Sequence, residues 1–192
     1  MTRHILALAA AAMMMASCEK EIPGHPEKVM ETYLRATQAG DFEQIFRLNF
    51  ATAKEDRFGD ASATAASQRR ARRMEAYRNA EATFTPGILW AERHLFPPKA
   101  SFKVLKAHPL AAVGDDPVNA EYERALSVIV PVEVTYAPGG PAPSLNGELL
   151  RFARYDCTLR KIRERGAVSV YSDDDVWRFS GCVADIPSFK VD

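Results

Sequence analysis

The chain has 192 residues, of which 47% are hydrophobic and 26% charged, as expected for one globular domain with short appendages. Its 25 basic and 25 acidic residues cancel, so no overall field steers it onto nucleic acid, and we expect no nucleic-acid partner. The chain contains three cysteines, Cys18, Cys157 and Cys182. An odd number in an exported chain requires an explanation for the third thiol.

The N-terminal segment has the pattern of an export signal. Arg3 and His4 precede an uncharged run at residues 5–16. That run is shorter than the roughly 20 apolar residues that span a bilayer, but it suits the apolar region of a signal peptide. Residues 15–18, Met-Ala-Ser-Cys, follow. They resemble the lipobox of bacterial lipoproteins, in which leucine and two small residues precede a cysteine; here methionine replaces the leucine.

By that resemblance, a type II signal peptidase cuts before Cys18 and leaves the cysteine diacylated, with palmitate as an expected acyl group. The chain is then a lipoprotein signal peptide at 1–17, a lipidated tether at 18–25 and a single α+β domain at 26–192. Each buried CH₂ of the lipid contributes about 0.8 kcal/mol of membrane affinity. The expected location is the periplasmic face of the cell envelope, and Glu19, rather than an aspartate, favours the outer membrane over the inner.

Two alternatives remain open for the N-terminal segment. One is an ordinary secretory signal that is cut nearby, in which case Cys18 is incidental. The other is a cytosolic amphipathic helix, although residues 6–16 are apolar on all sides.

A helical hairpin is predicted at the start of the domain. Pro26 suits a first helical position, apolar residues recur at helical spacing as far as Thr37, and Gly40 suits the helix C-terminus. Asp41, with Gln44 three residues later, forms a capping-box pattern at the start of a second helix with an aromatic face. We expect both helices to contribute to the core.

The following segment is predicted to be a loop and then helices. Residues 51–66 are rich in alanine, threonine and aspartate and contain Gly59, so they are interpreted as a loop. A helix is predicted over 67–84 and a short one over 88–95. The proline pair at 97–98 ends the second of these.

After these prolines the apolar period changes from helical to alternating. A strand is predicted from Phe102, and residues 128–136 alternate cleanly, which places one set of side chains on one sheet face. Pro131 within that run implies an edge strand or a bulge. The turn-rich segment 137–143 precedes a long strand predicted over 149–162.

The C-terminal part is predicted to complete the sheet. In the long strand, Tyr155, Cys157 and Leu159 share one face. Residues 167–171 are either a short strand or part of a hairpin loop. The last predicted strand spans 176–183, with Trp177 and Phe179 facing together.

Helices first and strands afterwards indicate an α+β fold, in which N-terminal helices pack on a curved antiparallel sheet formed by the C-terminal half. This order, with QAGDFE at 38–43 and DDVWRF at 174–179, resembles the nuclear-transport-factor-two-like fold over residues 27–184. The chain departs from that family by an extended helical segment at about 62–96. A cystatin-like sheet wrapped on a helix is the nearest structural alternative.

Cys157 and Cys182 are expected to form a disulfide if the protein is exported. They lie on predicted strands that can run antiparallel, and closing a loop of this length stabilises the fold by roughly 3–4 kcal/mol in the chain-entropy model. The alternative is two buried thiols that act as small apolar side chains. With the pair formed, Cys18 remains for lipidation.

The densest charge feature lies in the third predicted helix. Arg69, Arg72 and Arg73 have the i, i+3, i+4 spacing that brings side chains onto one helix face. They are candidates for contact with an anionic surface, either lipid headgroups, at about 1 kcal/mol for each basic residue, or an acidic patch on a protein. The alternative is a solvated face balanced by five acidic residues: Glu55, Asp56, Asp60, Glu75 and Glu81.

No sequence motif predicts catalysis, metal binding or a cofactor. The three aspartates at 173–175 lack the spacing of a calcium loop, and His25, His94 and His108 lack that of a zinc site. The chain has no phosphate-binding, dinucleotide-binding or serine-nucleophile motif. We assign no catalytic or metal-ligating residue and expect no cofactor.

The fold resemblance implies a pocket between sheet and helices, in which some relatives use Asp and Tyr as base and oxyanion donor. Residues of these types here are Tyr33, Tyr136, Tyr155 and Asp156. On a regular strand, however, Tyr155 and Asp156 point to opposite faces, so both cannot line one pocket.

Two functional hypotheses follow. The favoured one is a non-enzymatic, membrane-anchored domain that binds a small apolar molecule or an envelope protein, or that supports the envelope. The second is an isomerase or dehydratase that uses the pocket. A pocket filled by Tyr33, Phe46, Trp177 and Phe179 would argue against the second.

Overall fold

A computed structural model of the chain describes residues 25–80, 91–110, 127–162 and 176–191. Within these ranges four α-helices come first and seven strands follow, which confirms the predicted α+β class. The helices are α1 (Pro26–Ala39), α2 (Phe42–Leu48), α3 (Phe50–Phe58) and α4 (Ala63–Asn79). The strands are β1 (Ser101–Val104), β2 (His108–Pro109), β3 (Ser127–Thr135), β4 (Ser144–Leu145), β5 (Glu148–Arg160), β6 (Arg178–Ala184) and β7 (Lys190–Val191). Two short 3₁₀ helices span Ala91–His94 and Ile186–Ser188.

The turn between α1 and α2 forms as its sequence predicts. Gly40 adopts the left-handed conformation (φ 69°), and the Asp41 N–H donates to the Ala36 carbonyl at 2.9 Å, which closes the end of α1. The Asp41 carboxylate accepts from the Gln44 N–H at 3.1 Å and caps α2. The second half of the predicted capping box is replaced, because the Asp41 N–H already binds Ala36. The Gln44 side chain accepts from Arg47 instead.

The loop predicted over residues 51–66 is wrong for most of its length. Asn49 caps α3 by accepting the Thr52 N–H at 3.2 Å, and Ser62 caps α4 by accepting the Ala65 N–H at 3.3 Å. Thus α3 fills the first half of the segment, and α4 starts before its expected beginning. Both helices bury few side chains, so they lack the apolar periodicity by which helices are recognised in a sequence.

Several predicted elements lie partly or wholly outside the described residues. The end of the helix predicted over 67–84 lies outside, as does the candidate strand at 167–171. Of the helix predicted over 88–95, the described part is the 3₁₀ turn Ala91–His94. The three aspartates at 173–175 also lie outside the described ranges.

The described strands form one open antiparallel sheet in the C-terminal half of the chain. β3 pairs with β5 on one side and with β1 and β2 on the other. β5 additionally pairs with β4, β6 and β7. The sequence does not reveal β7, because a strand of two residues after a 3₁₀ turn is too short to show an alternating pattern.

Pro131 lies in a central strand, so the edge-strand alternative is wrong. The Pro131 carbonyl accepts from the Leu105 N–H at 2.9 Å, so the Pro131 nitrogen, which has no hydrogen to donate, also faces the β1–β2 side. There the registers of β1 and β2 against β3 differ by one residue, which leaves a bulge in the neighbouring segment. This interruption of the ladder explains how a central strand accommodates proline.

The core lies between the inner face of the sheet and the helices α1 and α2. The predicted alternation is confirmed on both central strands. The buried side chains on that face are Val128, Val130, Val132, Val134, Ala153, Tyr155, Cys157 and Leu159. The helices oppose them with Met30, Tyr33, Leu34, Ile45 and Phe46. Within the described ranges, no helix combines the length and the apolar character that a membrane crossing requires.

Candidate functional site

The space between helices and sheet is filled by side chains. Tyr33, Phe46, Trp177 and Phe179 are each at most 5% exposed. The ring of Tyr33 stacks on that of Phe179, with centroids 4.2 Å apart and planes 15° from parallel. In the described part of the chain, the region where the family resemblance implies a pocket is therefore core.

Two of the candidate tyrosines come together inside this core. The hydroxyls of Tyr136 and Tyr155 lie 2.7 Å apart, and Tyr136 donates to the Leu95 carbonyl at 3.0 Å, so the Tyr155 hydroxyl donates to Tyr136. Burial raises the pKa of both hydroxyls well above the ordinary value, so both stay neutral. The arrangement satisfies two buried polar groups and ends on a backbone carbonyl, which is a structural role.

Asp156 lies on the opposite face of β5 from Tyr155, as strand geometry predicts. Tyr155 is fully buried, whereas the Asp156 side chain is half-exposed on the outer face. There its Oδ1 is 3.9 Å from Nε of Arg154. An Asp–Tyr pair for proton abstraction does not form from these two residues.

The predicted disulfide is confirmed. Cys157 and Cys182 are direct register partners on β5 and β6, and their Cα atoms lie 4.0 Å apart. The bond joins the two strands on the inner face, where Cys157 is fully buried. It therefore fastens the last long strand to the centre of the sheet.

Arg73 points from α4 toward α3 and is buried there. Its guanidinium, in a side chain only 10% exposed, contacts Oε2 of Glu55 at 2.6 Å and Oδ2 of Asp56 at 2.9 Å. It also donates to the Thr52 carbonyl at 3.1 Å. These bonds use several of the donors of a guanidinium, as a buried arginine requires.

Arg69 takes part in the same contact one turn earlier. Its Nε lies 3.3 Å from Oδ1 of Asp56, and its Nη1 donates to the Asp60 carbonyl at 2.7 Å. The hydrogen bond from Arg73, together with the charges of both arginines, holds the pKa of Asp56 below its ordinary value, against a smaller opposing effect of burial. Arg69, Arg73 and the acidic residues of α3 thus form a partly buried ionic contact between two helices.

The three arginines predicted as an anionic-surface contact do not form one exposed face. Arg69 and Arg73 are committed to α3, and of the three only Arg72 presents an exposed guanidinium, 70% exposed and 3.4 Å from Glu55. Glu55 and Asp56 do balance them, but in a partly buried contact between two helices rather than on a solvated face. The i, i+3, i+4 spacing predicts that the arginines share one helix face, but it does not show what that face contacts. The segment that they contact, α3, lies within the predicted loop at 51–66.

A groove of about 400 Å³ lies between α1 and β1 on the surface of the domain. Glu31, Arg35 and Gln38 line it from α1, and residues 100–102 with Val104 line it from β1. Its helix side is polar, and its volume is within the range of small-ligand sites.

Side chains of α1 also bind the backbone on either side of this groove. At one end, Oε1 of Glu27 accepts the Ala107 N–H at 2.8 Å. At the other, Nε2 of Gln38 donates to the carbonyls of Ala100 at 2.7 Å and Pro97 at 3.1 Å. These contacts fix α1 alongside the edge of the sheet.

In the middle of the groove, α1 contributes an ion pair instead of a hydrogen bond to the backbone of β1. Nη2 of Arg35 lies 2.7 Å from Oε1 of Glu31, and the guanidinium sits 5.7 Å from the centroid of the Phe102 ring. The sequence predicted none of these groove residues. Glu27, Glu31 and Gln38 do recur at near-helical spacing, but that pattern shows a polar face and not what the face contacts.

The described residues offer no evident metal site, since nowhere in those ranges do three His, Cys, Asp or Glu side chains meet as ligands. His94 lies 2.7 Å from the Ala80 carbonyl, and His108 lies 3.3 Å from the carbonyl of Pro109. Both rings thus have a backbone partner.

Comparisons of the chain with models of known protein families, with characterised proteins and with solved structures found no match. The resemblance to the nuclear-transport-factor-two-like fold therefore stays a prediction, which rests on the order of the elements and on the two short motifs.

Proposed function

We propose that the protein is a lipoprotein of the cell envelope, anchored through lipid on Cys18, whose folded domain has a non-enzymatic binding role. The assignment of the three cysteines carries this proposal. Cys157 and Cys182 are joined in the sheet, and a disulfide of this kind is typical of an oxidising compartment. The third cysteine follows an uncharged run in a lipobox-like context.

A non-enzymatic role is supported by how the interior is used. An isomerase or dehydratase site needs a carboxylate with a perturbed pKa in a concave pocket beside a proton donor. Here the space under the sheet is occupied by Tyr33, Trp177 and Phe179. Asp156 lies on the other face of the sheet from the buried Tyr155. The described residues therefore favour a binding role over the enzymatic one.

The filled space between the sheet and the helices also favours a protein partner over a small apolar ligand. A cavity that is lined by described residues, the α1–β1 groove, is open and polar on its helix side. Apolar ligands select enclosed, apolar-lined cavities. The proposed role is therefore to bind an envelope protein, from the periplasmic face and with the outer membrane favoured.

The anchor is tested by metabolic labelling with palmitate in a bacterial host that expresses the full chain. We expect the wild-type protein to incorporate label and to sediment with membranes. A Cys18→Ala variant should incorporate none, because it lacks the sulfur that carries the lipid. Label on the Cys18→Ala protein, or an unlabelled wild-type protein, would contradict the proposal.

The matched control is the double variant Cys157→Ser/Cys182→Ser. It removes both cysteines of the disulfide from the folded domain and leaves residues 1–18 unchanged. It should incorporate palmitate to the wild-type extent. A loss of label in this control would mean that labelling reports folding rather than modification of Cys18.

A further inference from the structure

Among the described strands, β1 lies at an edge of the sheet. It pairs with β3 on one side, and no other described strand pairs with its second side. In an antiparallel ladder, the N–H and C=O of one residue point to the same side, and successive residues alternate. The Leu105 N–H donates to Pro131 on β3. The backbone groups of Phe102 and Val104 must therefore point the other way, into the groove.

The helix α1 replaces a neighbouring strand only at the two ends of this edge. The Ala100 carbonyl points to the same side as the backbone groups of Phe102 and Val104, and it accepts from Gln38. The Ala107 N–H donates to Glu27. Between these contacts, α1 presents side chains that bind each other. Among the described residues, the N–H and C=O groups of Phe102 and Val104 have no hydrogen-bond partner.

We infer that the groove between α1 and β1 binds an extended polypeptide segment of a partner protein, which adds a strand to the edge of β1. Two donors and two acceptors alternate along this edge at strand spacing, and another extended backbone is the ligand that matches all four. Four strand residues span roughly 13 Å. The groove therefore accommodates a short segment of about three or four residues.

The ion pair in the groove indicates which side chains the segment carries. Glu31 and Arg35 are well exposed, 46% and 70% by side chain, and such pairs exchange partners at little cost. A segment with one basic and one acidic residue two positions apart would place both on the same face, toward α1. The basic side chain of the segment would face Glu31, and its acidic side chain would face Arg35.

This inference deepens the proposed binding role and rests on it, but it does not require lipid on Cys18. The defined probe is a panel of ten-residue peptides of alternating threonine and valine. One third of the panel carries Glu and Lys two positions apart, one third carries them in the reverse order, and one third carries neither. Binding is followed in ¹⁵N spectra of the full chain in detergent micelles.

We expect the amide signals of Phe102 and Val104 to shift saturably and their hydrogen exchange to slow at least tenfold. The matched controls are two N-methylated forms of the peptide that binds most tightly. One is methylated on every second residue, and the other on the residues in between. The form in which the methyl groups block the donors that face β1 should bind at least tenfold more weakly. The other leaves them free and should bind as the parent does.

A protein variant gives a second test from the other side of the interface. Val104→Pro removes a donor that faces the groove and no bond of the β1–β3 ladder, so binding should weaken at least tenfold. Lys103→Ala alters a side chain on the outer sheet face and should bind normally. Arg35→Ala should keep the amide shifts and lose the preference among the three peptide groups.

Three outcomes would overturn the inference: no peptide of the panel shifts the signals of Phe102 and Val104, both methylated forms bind equally, or folded Val104→Pro binds as the wild type does. The Cys18→Ala protein should bind these peptides like the wild type. Loss of peptide binding with palmitate label retained refutes the groove alone. Peptide binding without label on the wild-type chain refutes the anchor alone.

Discussion

The sheet, with α1 and α2, buries aromatic and branched side chains, whereas the α3–α4 pair buries arginines. In the first region Tyr33, Trp177 and Phe179 are almost wholly enclosed. In the second, the buried side chains of the 17-residue α4 are Arg69, Arg73 and Tyr77. Apolar burial depends little on pH or salt, while an ionic contact depends on both.

The two regions are expected to differ in the free energy at which they open locally. Buried charges lose hydration, and their mutual attraction offsets that loss only when geometry and hydrogen bonding are good. The carboxylates that bind Arg73 are about half-exposed, which weakens the attraction further. We therefore expect α4 to open at lower free energy than the sheet, as a separate cooperative unit.

The largest effect is expected in the apolar region. Phe179→Ala removes a fully buried ring that stacks on Tyr33 and leaves a cavity. The free energy of unfolding should fall by about 3–5 kcal/mol, measured by urea denaturation. Phe58→Ala, which truncates a ring that is 52% exposed, is the control and should change it by about 0.5 kcal/mol or less. Equal effects of the two variants would show that the sheet region is not the stability-determining core.

A smaller and more local effect is expected in the ionic region. Arg73→Ala removes bonds to Glu55, Asp56 and the Thr52 carbonyl. We expect a loss of about 1.5–3 kcal/mol, the range for hydrogen bonds to charged groups, concentrated in the hydrogen-exchange protection of α4. Arg72→Ala, which truncates the exposed neighbour, should cost at most about 0.5 kcal/mol. Uniform loss of protection across the sheet would contradict the separation into two regions.

The smallest effect is the response of α4 to acid. In the folded state the pKa of Asp56 lies below its ordinary value of 3.8, mainly because Arg73 donates to it. Ionised Asp56 therefore stabilises the α3–α4 contact above pH 3.8, and this contribution is lost as the pH falls below 3.8 through the folded-state pKa. The exchange rates of α4 amides, corrected for intrinsic exchange, should rise in that window before those of β3.

Asp56→Asn isolates the carboxylate in this acid response. The variant should have a less protected α4 at neutral pH and should lack the part of the acid response that arises from Asp56. A variant whose α4 shows the wild-type acid profile would place the response on another group.

The sequence predicts the apolar region better than the ionic one, for a physical reason. The alternation of β3 and the Gly40–Asp41 turn are local patterns with one structural meaning, and both are confirmed. α3 and the start of α4 were missed because their stabilising contacts are charged pairs between segments. Such pairs have no periodicity within either segment.

The candidate groove was beyond sequence prediction for a related reason. Its recognition depends on which side of β1 faces β3, and one hydrogen bond, from Leu105 to Pro131, sets that phase. The sequence does contain Pro131 and the polar face of α1. It does not contain the register that relates them.

We propose that Cys18 carries lipid while Cys157 and Cys182 are paired in the same molecule. Mass spectrometry of the full-length protein, purified from bacterial membranes without reduction, tests it most directly. We expect an N-terminal peptide that begins at lipidated Cys18 and a disulfide-linked peptide pair from β5 and β6. An N-terminal peptide with a free Cys18 thiol, or a disulfide that includes Cys18, would contradict it.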